Sequence, residues 1–178
     1  MSQKFVKVKL TPKDIDKCGR AGKHRFFSSR GAGIEHNLQC KKTKKNDPVR
    51  DVQGIKAELA VAKLFDVELN LFECGPDNGI DLWIDDISVD VKVTTYVDDP
   101  HLVFMSGKTL RADIGILTVI AEGEQADEVT IGRWITKTLW EKHKEPFFHS
   151  PKDDAVPFDK LLPMYELWIA RMNRRFKG

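Results

Sequence analysis

Residues 79–95, with the sequence GIDLWIDDISVDVKVTT, combine two short apolar stretches with four aspartates and a single lysine. Val, Ile and Trp in such stretches are typical of β-strands, and Asp85 and Asp86 are favourable central residues for a tight turn. The segment therefore predicts a β-hairpin with that turn at its tip. Counted outward from the turn, the predicted pairs are Ile84 with Ile87, Trp83 with Ser88, Leu82 with Val89, and Asp81 with Asp90.

Alternation of side chains along this hairpin separates apolar from charged residues. Successive strand residues point to opposite faces of a sheet, so Asp81, Asp90 and Lys92 share one face. Directly opposed residues have Cβ atoms about 5 Å apart, and like charges in that relation destabilise a sheet. We therefore expect a cation between the carboxylates, and Mg²⁺ or Mn²⁺ completed by waters and a phosphate suits such ligands. The opposite face is apolar, with Leu82, Ile84, Ile87, Val89, Val91 and Val93.

Residues 51–67, DVQGIKAELAVAKLFDV, give the strongest helical pattern in the chain. Glu58 falls near the middle of the apolar arc, where a charged carboxylate needs a partner or a cation. Glu58 is therefore a candidate third acid of the site, as a ligand directly or through water. The apolar arc contains Ile55, Leu59, Val61, Ala62 and Phe65, and the opposite side contains Gln53, Lys56 and Lys63.

Three short segments carry a family resemblance: KAELA with Glu58, NGIDLWI with Asp81, and SVDVKVTT with Asp90 and Lys92. A helix with an inward Glu, a strand with Asp and a neighbouring strand with Asp-x-Lys resemble the PD-(D/E)xK nuclease superfamily. The resemblance covers roughly residues 50–140. It implies an α/β fold with a restriction-endonuclease-like core, in which a mixed β-sheet is flanked by helices. ADIGILTVIAEG and VTIGRWITKTLW look like the strand and the strand-to-helix segment that follow the site in small, phage-like members.

The resemblance also implies a reaction, the metal-dependent hydrolysis of phosphodiester bonds in DNA, with endonucleolytic cleavage favoured. Asp81 and Asp90 would hold Mg²⁺ or Mn²⁺ with the help of Glu58, and Lys92 would position or activate the attacking water. Cleavage of a duplex requires two strand cuts, which is compatible with a homodimer. The superfamily includes inactive members, so a catalytically inactive nucleic-acid-binding module of the same fold is the main alternative.

A literal Pro-Asp pair, Pro76-Asp77, makes Asp77 the alternative first acid. GPDNG is typical of a turn in which Asp77 caps the local backbone, and Asp81 alone faces Asp90 in the predicted register. We therefore prefer Asp81. The preference depends on the register, because a one-residue slip would move every side chain to the other face.

Charge is distributed unevenly along the chain. Residues 1–50 contain fourteen Lys/Arg against four Asp/Glu (+10), and residues 51–178 contain fifteen against twenty-three (−8), giving a formal net charge of +2. We interpret residues 1–50 as a basic strand, helix and loop arm packed on a nuclease-like core of residues 51–178. Such a basic segment indicates a polyanionic partner, here DNA. Candidate contacts are Lys41, Lys42, Lys44, Lys45 and Arg133, with Trp134 beside the last.

Several further elements are indicated by local patterns. Residues 4–10 alternate as a short strand, and Thr11, Pro12 and Asp14 form a helix-start signal for a helix to about residue 30. The run ADIGILTVIAE is typical of a strand buried on both faces, and EVTIGRWITKTLWEKH of a strand entering a helix. A Pro-rich stretch, residues 147–163, leads into an amphipathic C-terminal helix.

The remaining features restrict cellular context. The first ten residues, MSQKFVKVKL, alternate polar and apolar side chains instead of forming an apolar leader segment, and no run approaches the roughly 18 apolar residues of a membrane span. Three cysteines, widely spaced, argue against a disulfide scaffold. We expect a cytoplasmic protein with no membrane partner. A zinc-stabilised interaction protein is a third interpretation, with Cys18, His24, His36 and Cys40 as the ligand set.

Overall fold

The computed structural model describes residues 5–31, 48–72, 79–105, 108–121 and 126–175. The helices are α1 (Pro12–Gly31), α2 (Val49–Phe65), α3 (Lys137–His143) and α4 (Met164–Arg175). The strands are β1 (Val6–Lys9), β2 (Leu82–Ile84), β3 (Ile87–Thr94), β4 (His101–Phe104), β5 (Ile114–Ile120), β6 (Glu128–Thr136), β7 (Glu145–Phe147), β8 (Ser150–Pro157) and β9 (Leu162–Pro163).

A central mixed sheet organises the molecule. Its strand order is β1-β6-β5-β3-β2, and β9 pairs with β6. β3 and β5 are parallel, whereas β1 and β9 pair antiparallel to β6, β5 to β6 and β2 to β3. Helices flank this sheet, so the expected mixed α/β architecture is confirmed at this level.

Both faces of the central sheet are covered. On one face, α2 packs Ala57, Val61 and Phe65 against strand residues that include Val89 and Val91. On the other face lies a three-stranded antiparallel sheet of order β4-β8-β7, whose Leu102, Phe104 and Val156 meet Leu117, Ile135 and Trp140. The nearly continuous apolar sequence of β5 predicts a strand buried on both faces, and the structure confirms this prediction.

The N-terminal residues contribute to these layers. Thr11 and Asp14 form the expected start of α1, since the Thr11 N–H donates to Asp14 Oδ2 (2.8 Å) and the Asp14 N–H donates to Thr11 Oγ1 (3.2 Å). β1 pairs with β6 in the central sheet, and α1 packs on α2. Gly22 permits their close approach, because a Cβ at that position would lie 2.5 Å from Val52 Cγ2 and 2.8 Å from Val52 Cα.

Two residues that the helical pattern places opposite the apolar arc of α2, Gln53 and Lys56, are nevertheless buried, and Lys56 is 0% exposed. The reason is that α2 is covered by α1 on one side and by the sheet on the other, so it has little solvent face. The Lys56 Nζ donates to the carbonyl of Ala126 at 2.8 Å, which satisfies part of the hydrogen-bonding requirement of a buried ammonium.

None of the helices in the described ranges is both long enough and apolar enough to cross a lipid bilayer.

Candidate active site at the β2–β3 hairpin

The observed hairpin contains three of the four predicted pairs, and the predicted Asp81–Asp90 pair is not part of the ladder. Leu82 pairs with Val89, Trp83 with Ser88 and Ile84 with Ile87. Asp85 adopts the left-handed conformation (φ 55°) that a tight turn requires. Beyond the ladder, the Asp81 N–H donates to the carbonyl of Val89 at 2.8 Å, so Asp81 extends the β2 side of the hairpin toward Asp90.

The hairpin separates its side chains as expected. Val89 and Val91 are in the core beneath α2, while Asp90 is only 2% exposed on the opposite face. The Lys92 Nζ forms an ion pair with Asp90 Oδ1, and Asp81 Oδ2 accepts the Val91 N–H at 2.7 Å. The structure thus brings Asp81, Asp90 and Lys92 to one end of the hairpin.

Glu58 is buried, at 4% exposure, on α2. Its two carboxylate oxygens accept a bidentate pair from Arg25, with Nη1 to Oε1 at 2.7 Å and Nη2 to Oε2 at 3.0 Å. This geometry is the strong form of an Arg–carboxylate contact. Glu58 has the charged partner that its buried position requires, and that partner comes from α1.

Arg25 was missed by the sequence reasoning. Residues 18, 21, 22 and 25 follow helical spacing, and Cys18 and Ala21 are fully buried against Ile55 of α2. That spacing places Arg25 on the same stripe of α1, facing α2. The signal in the sequence was a basic residue on a stripe of α1 whose other residues are small or apolar. Such a residue indicates a buried acid on the element that the stripe faces, here α2.

Electrostatics connect these groups. The pKa of Asp81 is raised to about 8, first by burial and then by the carboxylates of Glu58 and Asp90, against the opposing effects of Lys92 and the Val91 N–H. For Arg25, burial acts to lower the pKa, but the bonds and charge of Glu58 outweigh it, and Asp81 adds to the rise. Three acids therefore face two basic side chains, and Asp81 retains a proton near neutral pH.

The donor set fits a divalent metal supported by two carboxylates. Asp81, just before β2, and Asp90, on β3, offer hard oxygen ligands. Mg²⁺ or Mn²⁺ accepts such ligands together with water and phosphate oxygens. Within the described ranges, no group of three or more His, Cys, Asp or Glu is arranged to hold a metal. Arg25 donates one hydrogen bond to each oxygen of Glu58, so Glu58 would reach a metal only through the lone pairs that remain on those oxygens, directly or through water.

Arg133, a predicted DNA contact, binds backbone carbonyls within the fold. The Arg133 Nη1 donates to the carbonyls of Leu161 (2.8 Å) and Phe158 (3.3 Å), and its guanidinium lies 4.5 Å from the Phe158 ring centroid. These contacts stabilise the turn before β9, and a DNA contact by Arg133 stays a prediction. Trp134 is buried and donates to the carbonyl of Pro163, so it is a core residue. Asp77, Lys41, Lys42, Lys44 and Lys45 lie outside the described residues.

Two of the proposed zinc ligands are described. Cys18 is buried between α1 and α2, and burial raises the pKa of its thiol to about 11. A zinc ligand must be a thiolate, so these surroundings favour a core thiol. His24 is exposed, with its ring edge-on to Phe72 at 6.1 Å. His36 and Cys40 lie outside the described residues.

No protein-family model matches the sequence, and no curated protein is significantly similar to it. The chemistry of Asp81, Asp90 and Lys92 is therefore the basis for the functional proposal.

Proposed function

We propose that the protein is a divalent-metal-dependent nuclease that hydrolyses phosphodiester bonds of DNA, with internal cleavage favoured. The observation that carries the proposal is the convergence of Asp81, which immediately precedes β2, and Asp90 of β3, with Lys92 paired to Asp90 and Glu58 buried nearby. Acids forced together in this way, with a strongly raised pKa, are characteristic of functional sites.

The surrounding layers support a restriction-endonuclease-like core. The hairpin β2–β3 supplies the two aspartates, β5 pairs parallel to β3, and α2 covers the same sheet and supplies Glu58. The helix, hairpin and following strand occur in the order expected from the resemblance to PD-(D/E)xK nucleases.

A divalent cation held by Asp81 and Asp90 would neutralise their charge, polarise the scissile phosphate and lower the pKa of the attacking water. Asp81 would release its proton as the cation binds. The Lys92 ammonium would orient the water or bind a phosphate oxygen. The water oxygen bonds to phosphorus as one P–O ester bond breaks, a water proton leaves to solvent, and the departing oxygen is protonated.

The test is cleavage of circular plasmid and of linear single-stranded DNA in Mg²⁺, in Mn²⁺ and in EDTA. Asp90→Asn and Lys92→Met are compared with wild type, and Asp86→Asn, at an exposed turn carboxylate of the same hairpin, is the matched control. We expect metal-dependent cutting that falls at least about 10²-fold in both site variants and is unchanged in the control, with DNA binding retained.

Two outcomes would contradict the proposal. One is undiminished cutting by Asp90→Asn, which would place the chemistry elsewhere. The other is a folded wild type that retards DNA in a gel yet cuts neither substrate with either metal. The second result would favour the non-catalytic binding module, in which the aspartates serve the fold alone.

A further inference from the structure

An aromatic cleft opens directly beside the candidate site. Its volume is about 380 Å³, and Lys92, the residue paired with Asp90, is part of its wall. This volume is in the range of small-molecule sites. The lining also includes Tyr96, His101, Phe148 and His149. A group bound in the cleft would therefore be continuous with a phosphate at Lys92.

The rings come from separate segments of the fold. Tyr96 follows β3, His101 begins β4, and Phe148 and His149 form the tip between β7 and β8. Phe148 and His149 have ring centroids 3.8 Å apart, and the Tyr96 ring is nearly parallel to that of His149, at 6.1 Å and 20°. Tyr96 and Phe148 are each 64% exposed. Clustered exposed rings of this kind mark binding surfaces more often than packing.

The charges of the cleft select the part of a nucleic acid that would enter it. Asp98 and Asp99 belong to the lining, and of its described members Lys92 is the one lysine, with no arginine among them. Asp98 and Asp99 would therefore repel a phosphate placed beside them, whereas Lys92 would attract one to its part of the wall. A nucleobase is uncharged, presents a flat face to aromatic rings and carries amino groups that carboxylates accept, as Asp and Glu do from cytosine.

We propose that this cleft binds an unpaired nucleobase next to the scissile phosphate, which makes single-stranded DNA the substrate class. The inference rests on the proposed nuclease function. In a duplex the faces of the bases are stacked on one another, and a base reaches such rings only after costly extrusion. Single strands, flaps and frayed ends present these faces freely.

The test measures binding in EDTA, where hydrolysis cannot occur, with single-stranded and duplex oligonucleotides that carry 2-aminopurine, a fluorescent base whose emission falls on stacking. Tyr96→Ala and Phe148→Ala are the test variants, with Tyr96→Phe as the conservative replacement. Tyr165→Ala, at a 60% exposed ring on α4, is the control. Because the replaced rings are exposed, the variants are expected to fold.

We expect wild type to quench 2-aminopurine in the single strand, and each Ala variant to weaken single-strand affinity about 5- to 150-fold. Tyr96→Phe should restore binding, because stacking needs the ring and not the hydroxyl. Duplex affinity and the Tyr165→Ala protein should be unchanged. The inference is overturned if single-strand affinity is insensitive to both Ala changes, or if wild type quenches only the duplex probe.

This design separates the inference from the proposed function. Base stacking is measured without metal, so a chain that stacks bases but never cleaves would refute the nuclease alone. A chain that cleaves, with cleavage lost in Asp90→Asn, but shows no stacking would refute the single-strand inference alone.

Discussion

Asp81→Asn removes the titrating carboxyl but keeps the size of the side chain and its hydrogen-bond acceptor. The substitution therefore isolates the effect of ionising this carboxyl on the free energy of unfolding. The amide is nearly isosteric, and its oxygen can still accept the Val91 N–H that Asp81 accepts at 2.7 Å. Burial and the nearby carboxylates of Glu58 and Asp90 raise the pKa of Asp81 from 3.8 to about 8. Between those values the folded protein keeps a proton that the unfolded chain has released.

Because of this extra proton, the folded protein becomes less stable as pH rises. Where the folded state binds more protons, the free energy of unfolding falls as pH rises, by up to about 1.4 kcal/mol per pH unit for one group. From pH 5.5 to pH 7 this amounts to about 2 kcal/mol. Asp81→Asn removes this titration. Between pH 5.5 and pH 7, its free energy of unfolding should therefore rise by about 2 kcal/mol relative to that of wild type.

The measurement is urea unfolding of both proteins at several pH values between 5.5 and 7, in EDTA. Asp98→Asn, at an exposed carboxylate, controls for the loss of one negative charge. If the proposed metal site exists, Mg²⁺ added at pH 7 should stabilise wild type and leave Asp81→Asn unchanged, because the cation would replace the proton at this carboxyl. Parallel pH profiles for wild type and Asp81→Asn would refute the reasoning.

Three further outcomes are expected. Mn²⁺ affinity, measured by calorimetry, should rise up to about tenfold per pH unit below pH 8, because Asp81 must lose its proton to bind metal. A Mn²⁺ affinity that does not change with pH would exclude Asp81 as a ligand. Arg25→Ala should cost about 3–5 kcal/mol in urea unfolding by leaving Glu58 buried without its partner. Adding Glu58→Gln should recover much of that loss, and failure to recover it would contradict the pairing. Gly22→Ala should lower the free energy of unfolding by at least about 1–3 kcal/mol because its Cβ meets the α2 backbone. Gly19→Ala, which has open space, should be neutral or raise it by up to about 1 kcal/mol, and equal melting shifts would refute the steric argument.

The hairpin was predictable because its information is local. A two-residue turn fixes the pairing, and alternation fixes which residues face α2, so a slip of one residue would turn Asp90 toward the apolar core beneath α2 and Val89 toward the opposite face. The observed pairs from Leu82 to Val89 follow that prediction. The start of α1 was predictable for the same reason, since Thr11 and Asp14 are three residues apart.

What sequence reasoning missed depends on distant partners. The burial of Lys56 is decided by how many layers cover α2, which a helical pattern does not contain. The Arg25–Glu58 pair joins residues 33 positions apart. The three-stranded sheet was missed because β7 and β8 contain prolines at 146, 151 and 157, and proline within an apolar run argues against a strand in the interior of a sheet.

The charge balance of the site links these distant contacts to the proposed chemistry. Arg25 occupies both oxygens of Glu58, and Lys92 is paired with Asp90. Asp81 accepts a backbone N–H from Val91 and has the raised pKa, so an added positive charge is most favourable at Asp81. Below pH 8 that charge is a proton, and under the proposed function a divalent cation takes its place. Cation binding at Asp90 would also compete with its ion pair to Lys92, and the released ammonium would then face the phosphate and the mouth of the aromatic cleft. Metal binding, proton release and the positioning of Lys92 would therefore occur as one coupled event, which requires cleavage to increase with pH up to about 8 in parallel with metal affinity.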